Sequence, residues 1–208
     1  MARHHPQELR RRQLIAATIA VIARRGLVAG TLADVARAAK VSYGVVAFYF
    51  RTKDALLLAT LDHLAAEYEG IAASAAAEAG PSPMAKLLAV LDADFSPVVA
   101  STRKIAAWTA FWAECRATPK FRRRCIELED RYFRLTRDLC RRIVEEGGPV
   151  GLKPEAIAAG LNAMVSGLWL DLHIRGTRMS RAEAKRVTRD YLAALFPREM
   201  SRLRREAA

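Results

Sequence analysis

TLADVARAAKVSYGVVAFYFRTK, residues 31–53, holds two helix starts in quick succession. Thr31 offers an N-cap hydroxyl and Asp34 a carboxylate three places on, the pairing that satisfies orphan N–H groups at a helix start. Leu32, Val35, Ala36 and Ala39 then fall at i, i+3, i+4 and i+7. A stripe only two turns long is unstable alone and must pack on neighbours in a small bundle. After Lys40 and Val41, Ser42 provides a second N-cap, and Tyr43 to Phe48 carries small or apolar side chains able to lie close to a groove floor. Thr52, three residues before Ala55, opens a further helix with Lys53 in its first turn. Two short helices joined by a tight turn fit the helix-turn-helix plan, in which the second helix enters the major groove of DNA.

Charge points the same way. Residues 1–53 hold ten Lys or Arg against Glu8 and Asp34, a net of +8 out of the chain's formal +12. About a quarter of the chain thus carries two thirds of the excess, and an anionic polymer is the natural partner. Anionic lipid or simple solubility would explain the charge by itself. Charge together with a capped helix pair selects nucleic acid.

The 208 residues, 52% hydrophobic, suffice for one or two domains with a sizeable core. No apolar run approaches the roughly 18 to 20 uncharged residues that span a bilayer, and MARHHPQELRRR lacks the apolar centre of a signal peptide. A cytoplasmic location without membrane contact is therefore expected. Cys115, Cys125 and Cys140 are odd in number and lack zinc-ligand spacing, which argues against a disulfide framework or a structural metal. They suit packing in a reducing cell, with redox sensing as the lesser reading. His4, His5, His63 and His173 are scattered, no nucleophile and base are legible together, and no glycine-rich phosphate loop occurs. No catalytic residue, metal or cofactor is expected.

Working outward, almost everything has helical periodicity. A first helix is expected from Glu8 to Arg25, with Leu14, Ile15, Thr18, Val21 and Ile22 on one face, Gly26 in the left-handed exit position and Leu27 folding back on it. The Ala-rich helix from Thr52 ends near Glu78 at AGPSP, and another runs from Pro83 to Asp94. Helices are further expected over Ser101–Ala117, Pro119–Glu146, Pro154–Arg175 and Ser180–Leu195, with Pro119 and Pro154 in first turns and Gly147, Gly148 and Gly176 at exits. Nine helices and an all-α fold result.

Thr31, Leu32, Asp34, Val35, Ala36, Ala39, Val41, Ser42, Gly44, Tyr49, Phe50, Lys53, Asp54 and Leu56 together resemble the DNA-binding motif of the TetR family of transcriptional regulators. RRRQLIAAT, KIAAWTAFWAE and GLNAMVSGLWL, in three separate parts of the chain, are similar to its BetI type. The resemblance implies that family's nine-helix plan: an N-terminal three-helix bundle, residues 1–52, and a helical ligand-binding and dimerisation domain, residues 53–208. It implies a repressor and a double-stranded, palindromic or near-palindromic operator. Ser42, Tyr43, Val45 and Phe48 would lie near bases or thymine methyls, with Gly44 among them, and Tyr49 and Lys53 near phosphates; Thr31 and Lys40 belong to the same motif. The positive end of the next helix would reinforce Lys53, and Arg10, Arg11 and Arg12 would add sequence-independent contacts unless they are a solvated basic turn.

Two departures stand out. Lys40 occupies the place where the family usually has the turn glycine, so either the turn is adjusted or Lys40 is held at positive φ for about 1 kcal/mol. Ala47 stands where many relatives have a polar group, and no Arg, Asn or Gln lies between Ser42 and Phe50. Bidentate base recognition is thereby excluded, leaving hydroxyl, apolar and shape readout.

Trp108, Phe111 and Trp112 share a helix face at i, i+3 and i+4, and Trp169 lies on a later helix. BetI-type relatives answer to choline, and aromatic faces with a carboxylate suit a quaternary ammonium. Asp94, Glu114 and Asp171 are the candidate carboxylates; ordinary core or dimer packing is the competing explanation for the aromatics. Gly160, Ala163, Met164 and Gly167 form a small-residue ridge that Leu168, Trp169 and Leu172 continue, and Val187, Tyr191, Ala194 and Leu195 give the last helix a similar face. The resemblance implies homodimerisation through these two helices. The alternative to an effector-controlled repressor is a general architectural DNA-binding protein without an effector; a helical interaction module would bind no DNA.

Overall fold

The computed structural model describes residues 4–147, 151, 153–175 and 179–206. Among the described residues ten helices follow in order: α1 His4–Ala29, α2 Leu32–Ala39, α3 Tyr43–Tyr49, α4 Lys53–Glu78, α5 Pro83–Asp94, α6 Thr102–Glu114, α7 Pro119–Glu145, α8 Pro154–Arg175, α9 Arg181–Leu195 and α10 Pro197–Glu206. No strand occurs among the described residues, so the fold is all-α as expected. The addition to the expected nine is α10. Buried Phe196 leaves helical geometry at φ −128°, ψ 59°, and Pro197, preorganised for a first turn, starts a new helix.

Local chemistry accounts for the boundaries. Gly26 adopts φ 76°, ψ 173°, a positive φ that favours glycine and kinks α1, after which Leu27 is buried. Gly30 permits a close approach, since a Cβ there would lie 2.8 Å from Val21 Cγ1. The Ser82 and Ser180 side chains cap α5 and α9. Pro119 and Pro154 open α7 and α8, and Gly147 leaves α7 at φ 108°. Gly148 and Gly176, also expected at helix exits, lie outside the described residues.

The chain divides into two compact units, one of Met1–Glu67 with Thr102–Cys125, the other of Tyr68–Ser101 with Ile126–Ala208. In the first, α1 packs on α2 and α6 around Leu14, Ile15, Val35, Val46, Leu61, Ile105 and Phe111. Ion pairs Asp54–Lys120, Asp62–Arg124 and Glu67–Lys104 tie the part of α4 in this unit to α7 and α6. In the second, α9 packs on α5 and α8, and α10 on α5 and α9, around Leu87, Leu91, Phe95, Leu161, Leu192 and Phe196. Asp92 pairs with Arg189 across α5 and α9.

Two readings of α8 change. By length and composition it is apolar enough to cross a membrane, with mean hydropathy 1.3 over its best 18-residue window, contrary to the expectation that no such run exists. Here Ile157, Leu161, Val165, Leu168 and Trp169 form a buried stripe within the second unit, and 33% of that window is buried. Leu168 and Trp169 therefore face inward and do not continue an outer ridge. The exposed face instead carries Ala163, Gly167, Leu170 and Ile174, at i, i+4, i+7 and i+11.

The cysteines are free; Cys125 and Cys140 are buried and Cys115 half-buried. Burial pushes the Cys140 thiol up to about 12, so it stays protonated and packs as a small apolar group.

Candidate nucleic-acid interface and ligand cluster

The start of α2 is closed by a reciprocal cap. Asp34 N–H donates to Thr31 Oγ1 at 3.1 Å, and Thr31 N–H donates to Asp34 Oδ2 at 3.1 Å. The Thr31 hydroxyl also donates to Asp34 Oδ2 at 2.7 Å, and Arg25 and Arg37 reach the same carboxylate at 3.4 and 3.0 Å. These Thr31 hydrogen bonds, side chain and then backbone, hold the Asp34 carboxyl below its ordinary range, with the two guanidiniums adding to the effect. Thr31 thus uses its side chain to build the motif, although the residue is exposed.

At the other end of α2, Lys40 has φ 55°, ψ 45°, the one positive φ outside glycine among the described residues. Its N–H donates to Arg37 O at 3.2 Å, and Val41 N–H donates back to Ala36 O at 3.0 Å, the paired bonds of a left-handed helix exit. Of the two sequence alternatives, the turn keeps its left-handed shape and Lys40 carries the strain. Gln13 Nε2 donates to Ala39 O at 2.8 Å, anchoring this corner to α1.

That corner presents α3. Ser42 sits at the N-cap with φ −71°, ψ 155°, but its hydroxyl makes no capping hydrogen bond, which departs from the expected second side-chain cap. Val46 is the buried residue of α3; Ser42, Tyr43, Gly44 and Phe48 are exposed, Val45 and Tyr49 half-buried. Phe48 is 76% exposed, an unusual position for a phenyl ring in the absence of a partner, and stands edge-on to Tyr49 at 5.4 Å. The helix is held from below by one side chain and offers a hydroxyl, a phenol and a phenyl outward.

Basic groups flank it. Arg10, Arg11 and Arg12 are exposed on α1. Arg10 hydrogen-bonds Gln13 at 2.6 Å, Arg12 reaches Glu8 at 3.2 Å, and the Arg11 guanidinium lies 5.6 Å from the Phe50 ring centroid. Lys53 Nζ donates to Val28 O at 2.5 Å. Gln13, Arg25 and Arg37 are parts of this framework that the sequence reading left out; the contacts of Gln13 and Arg25 join α1 to α2, which linear spacing does not display, whereas the Arg37 pair with Asp34 lies within α2 at i, i+3.

The seven aromatic and acidic residues considered for a ligand divide between the units. In the first, Trp108 is buried, half-buried Trp112 lies 6.0 Å from it between ring centroids, and fully buried Phe111 packs edge-on against Phe121 at 5.7 Å. Glu114 accepts the Thr118 hydroxyl at 2.8 Å. In the second, Asp171 pairs with Arg175 at 3.0 Å on the surface of α8.

Asp94 and Trp169 do come together: the indole N–H donates to Asp94 O at 3.0 Å. The Asp94 carboxyl is 1% exposed and accepts the Tyr132 hydroxyl at 2.7 Å. The Tyr68 and Tyr132 rings stand edge to face at 5.6 Å, and the buried Tyr68 hydroxyl has no hydrogen-bond partner of acceptable geometry. Burial pushes the Asp94 carboxyl up to about 7, against the opposite pull of the Tyr132 and Tyr68 hydroxyls. Burial and the neighbouring carboxyl likewise raise both phenols well above their ordinary range. Tyr68 and Tyr132 escaped the sequence reading because each is a lone tyrosine in a helix rich in other signals; an uncharged hydroxyl beside a buried carboxyl has no linear signature.

Comparison with known proteins completes the picture. Residues 14–60 match the family model for bacterial regulatory proteins of the tetR family, and residues 83–197 that for the C-terminal part of BetI-type transcriptional repressors. The HTH-type transcriptional regulator BetI of Burkholderia thailandensis is 35% identical over 190 residues, covering 91% of this chain and 95% of that protein. Among solved structures, a Pseudomonas aeruginosa PAO1 protein described as a transcriptional regulator superposes with a TM-score of 0.80 at 25% identity, covering 96% and 94% of the two chains. A Saccharomonospora viridis protein described likewise, in complex with choline, gives 0.76 at 20% identity, covering 88% and 94%. FadR of Bacillus subtilis in complex with stearoyl-CoA gives 0.73 at 18%, covering 88% and 96%. The helix pair α2 and α3, the all-α architecture and these two family matches agree: the chain belongs to the TetR family of transcriptional regulators and carries the C-terminal domain of its BetI-type repressors.

Proposed function

We propose that this protein is a sequence-specific repressor that grips a palindromic or near-palindromic operator as a homodimer and is released by a small organic cation, choline being the first candidate. The observation that carries the DNA reading is α3 itself, fixed by Val46 and outwardly presenting Ser42, Tyr43 and Phe48 between the exposed basic residues Lys40 and Arg51. Lys40, Tyr49, Lys53 and the α1 arginines supply phosphate attraction, which sets affinity and its salt dependence. Specificity then comes from hydroxyl and apolar contacts and from DNA shape.

The proposed division of labour assigns residues 1–52 to DNA and residues 53–208 to effector binding and dimerisation. Dimerisation is assigned to the exposed faces of α8 and α9, where Ala163 and Gly167 allow close approach and Leu170, Ile174 and Val187 bring apolar area. A twofold axis there would set two copies of α3 one helical turn of DNA apart, about 34 to 36 Å. An effector favouring another separation lowers operator affinity, and the operator lowers effector affinity by the same factor. The proposed site of action is the cytoplasm.

The test is a titration of the purified protein against its own upstream DNA and a scrambled duplex at about 150 mM salt. The expected preference is at least about 10³-fold. Similar affinity for both duplexes would favour a general architectural DNA-binding protein, the reading supported by the lack of Arg, Asn and Gln on α3.

A further inference from the structure

The second unit contains a carboxyl without a counter-charge. Asp94 ends α5 almost wholly out of solvent, and among the described residues no cation pairs with it. The groups facing it are the Tyr68 hydroxyl from α4 and the Tyr132 hydroxyl from α7, with the Trp169 indole of α8 on its backbone carbonyl. Asp92, two residues before it on α5, is turned to Arg189, and Glu129 acts on Tyr132. A carboxylate in such surroundings is unfavourable unless a positive charge joins it, so Asp94 by itself holds the proton. The Tyr68 hydroxyl, buried beside the carboxyl without a well-aligned hydrogen bond, is a second polar group only partly satisfied in the same cluster.

We propose that Asp94, Tyr68 and Tyr132 form the cation-recognition centre of this protein, and that it binds a small alkylammonium ligand in exchange for a proton. This rests on the reading that a cationic effector controls the repressor and supplies its regulation: effector affinity is coupled to pH. The step balances simply. The Asp94 O–H bond breaks, its proton leaves to solvent, and the ligand's positive charge takes its place beside the carboxylate. Tyr132 keeps its hydrogen bond to the carboxylate, Tyr68 gains a partner in the carboxylate or the ligand, and the aromatic faces attract the ammonium.

Calorimetric titration of the full chain with choline, and with tetramethylammonium as a second probe, tests this between pH 5.5 and 8.5 in buffers of different ionisation enthalpy. About one proton released per ligand is expected at the acid end, falling toward none at the alkaline end, with affinity rising about tenfold per pH unit at first and then levelling off. Asp94→Asn should lose at least tenfold in cation affinity and all proton release while still binding operator DNA. Tyr132→Phe removes a bond that favours the carboxylate, so the rise in affinity should move to higher pH. Binding of either cation with no proton release, proton release that survives in Asp94→Asn, or no binding of either cation at any pH would overturn the proposal. Loss of operator preference in the duplex titration would instead overturn the repressor reading and leaves these results intact.

Discussion

Lys40 closes the turn between α2 and α3 in a backbone conformation that costs a residue with a Cβ about 1 kcal/mol. The sequence posed a choice between an adjusted turn and a strained lysine, and φ 55° settles it for strain. Lys40→Gly should therefore raise stability by about 1 kcal/mol in urea unfolding, less a part for the freer unfolded chain. It should also weaken DNA binding similarly for all sequences and reduce the salt slope by about one. At Asp94 the linkage runs opposite to that of an ordinary acid. Its folded pKa of about 7 lies above the ordinary 3.8, so its stabilising share is fully present below pH 3.8 and is lost as pH rises through about 7. The loss is on the order of 4 kcal/mol. Thermal melts of ligand-free protein from pH 4 to pH 8 should show this decline, and Asp94→Asn should flatten it and exceed the wild type at pH 8. The Thr31 and Asp34 cap was legible because both partners lie three residues apart; the Asp94 cluster was not, because its members come from α4, α5 and α7.

Helix starts and stops were readable wherever a local signal set them: Thr31, Ser82 and Ser180 cap through their side chains, and Pro119 and Pro154 fill first turns. Ser42 shows the limit of that logic, since it occupies the N-cap position and leaves its hydroxyl free. Helix α10 was missed because its ten residues are mostly polar and basic, with Met200 and Leu203 the only apolar side chains after Pro197, and Met200 alone buries deeply. The face of α8 was also ambiguous, because apolar and small residues occur all around it. For α3 the division between structure and function is sharp enough to test with two truncations. Val46→Ala should cost on the order of 2 kcal/mol in denaturant unfolding, as a buried side chain loses two methyl groups. Phe48→Ala should leave stability within about 0.5 kcal/mol and reduce operator affinity by about tenfold without a comparable loss on scrambled DNA, measured by anisotropy titration.

At the scale of the whole molecule, charge and the capped pair pointed to DNA from the sequence, and membership of the TetR family agrees with that direction. The compact units were not legible, because α4 and α7 each contribute residues to both and no linker marks the change. A replacement of both Leu170 and Ile174 by Glu, on the exposed face of α8, should give a monomer by sedimentation with unchanged helicity and about 10²-fold weaker operator binding. A dimer that survives this change would place the twofold interface elsewhere. The most direct measurement is the affinity of the protein for its upstream DNA and for a scrambled duplex, at about 150 mM salt, with and without saturating choline. The expected result is a strong preference for the upstream DNA that choline weakens by about 5- to 150-fold. Equal binding to the two duplexes, or a preference that choline leaves unchanged, would contradict a cation-released repressor.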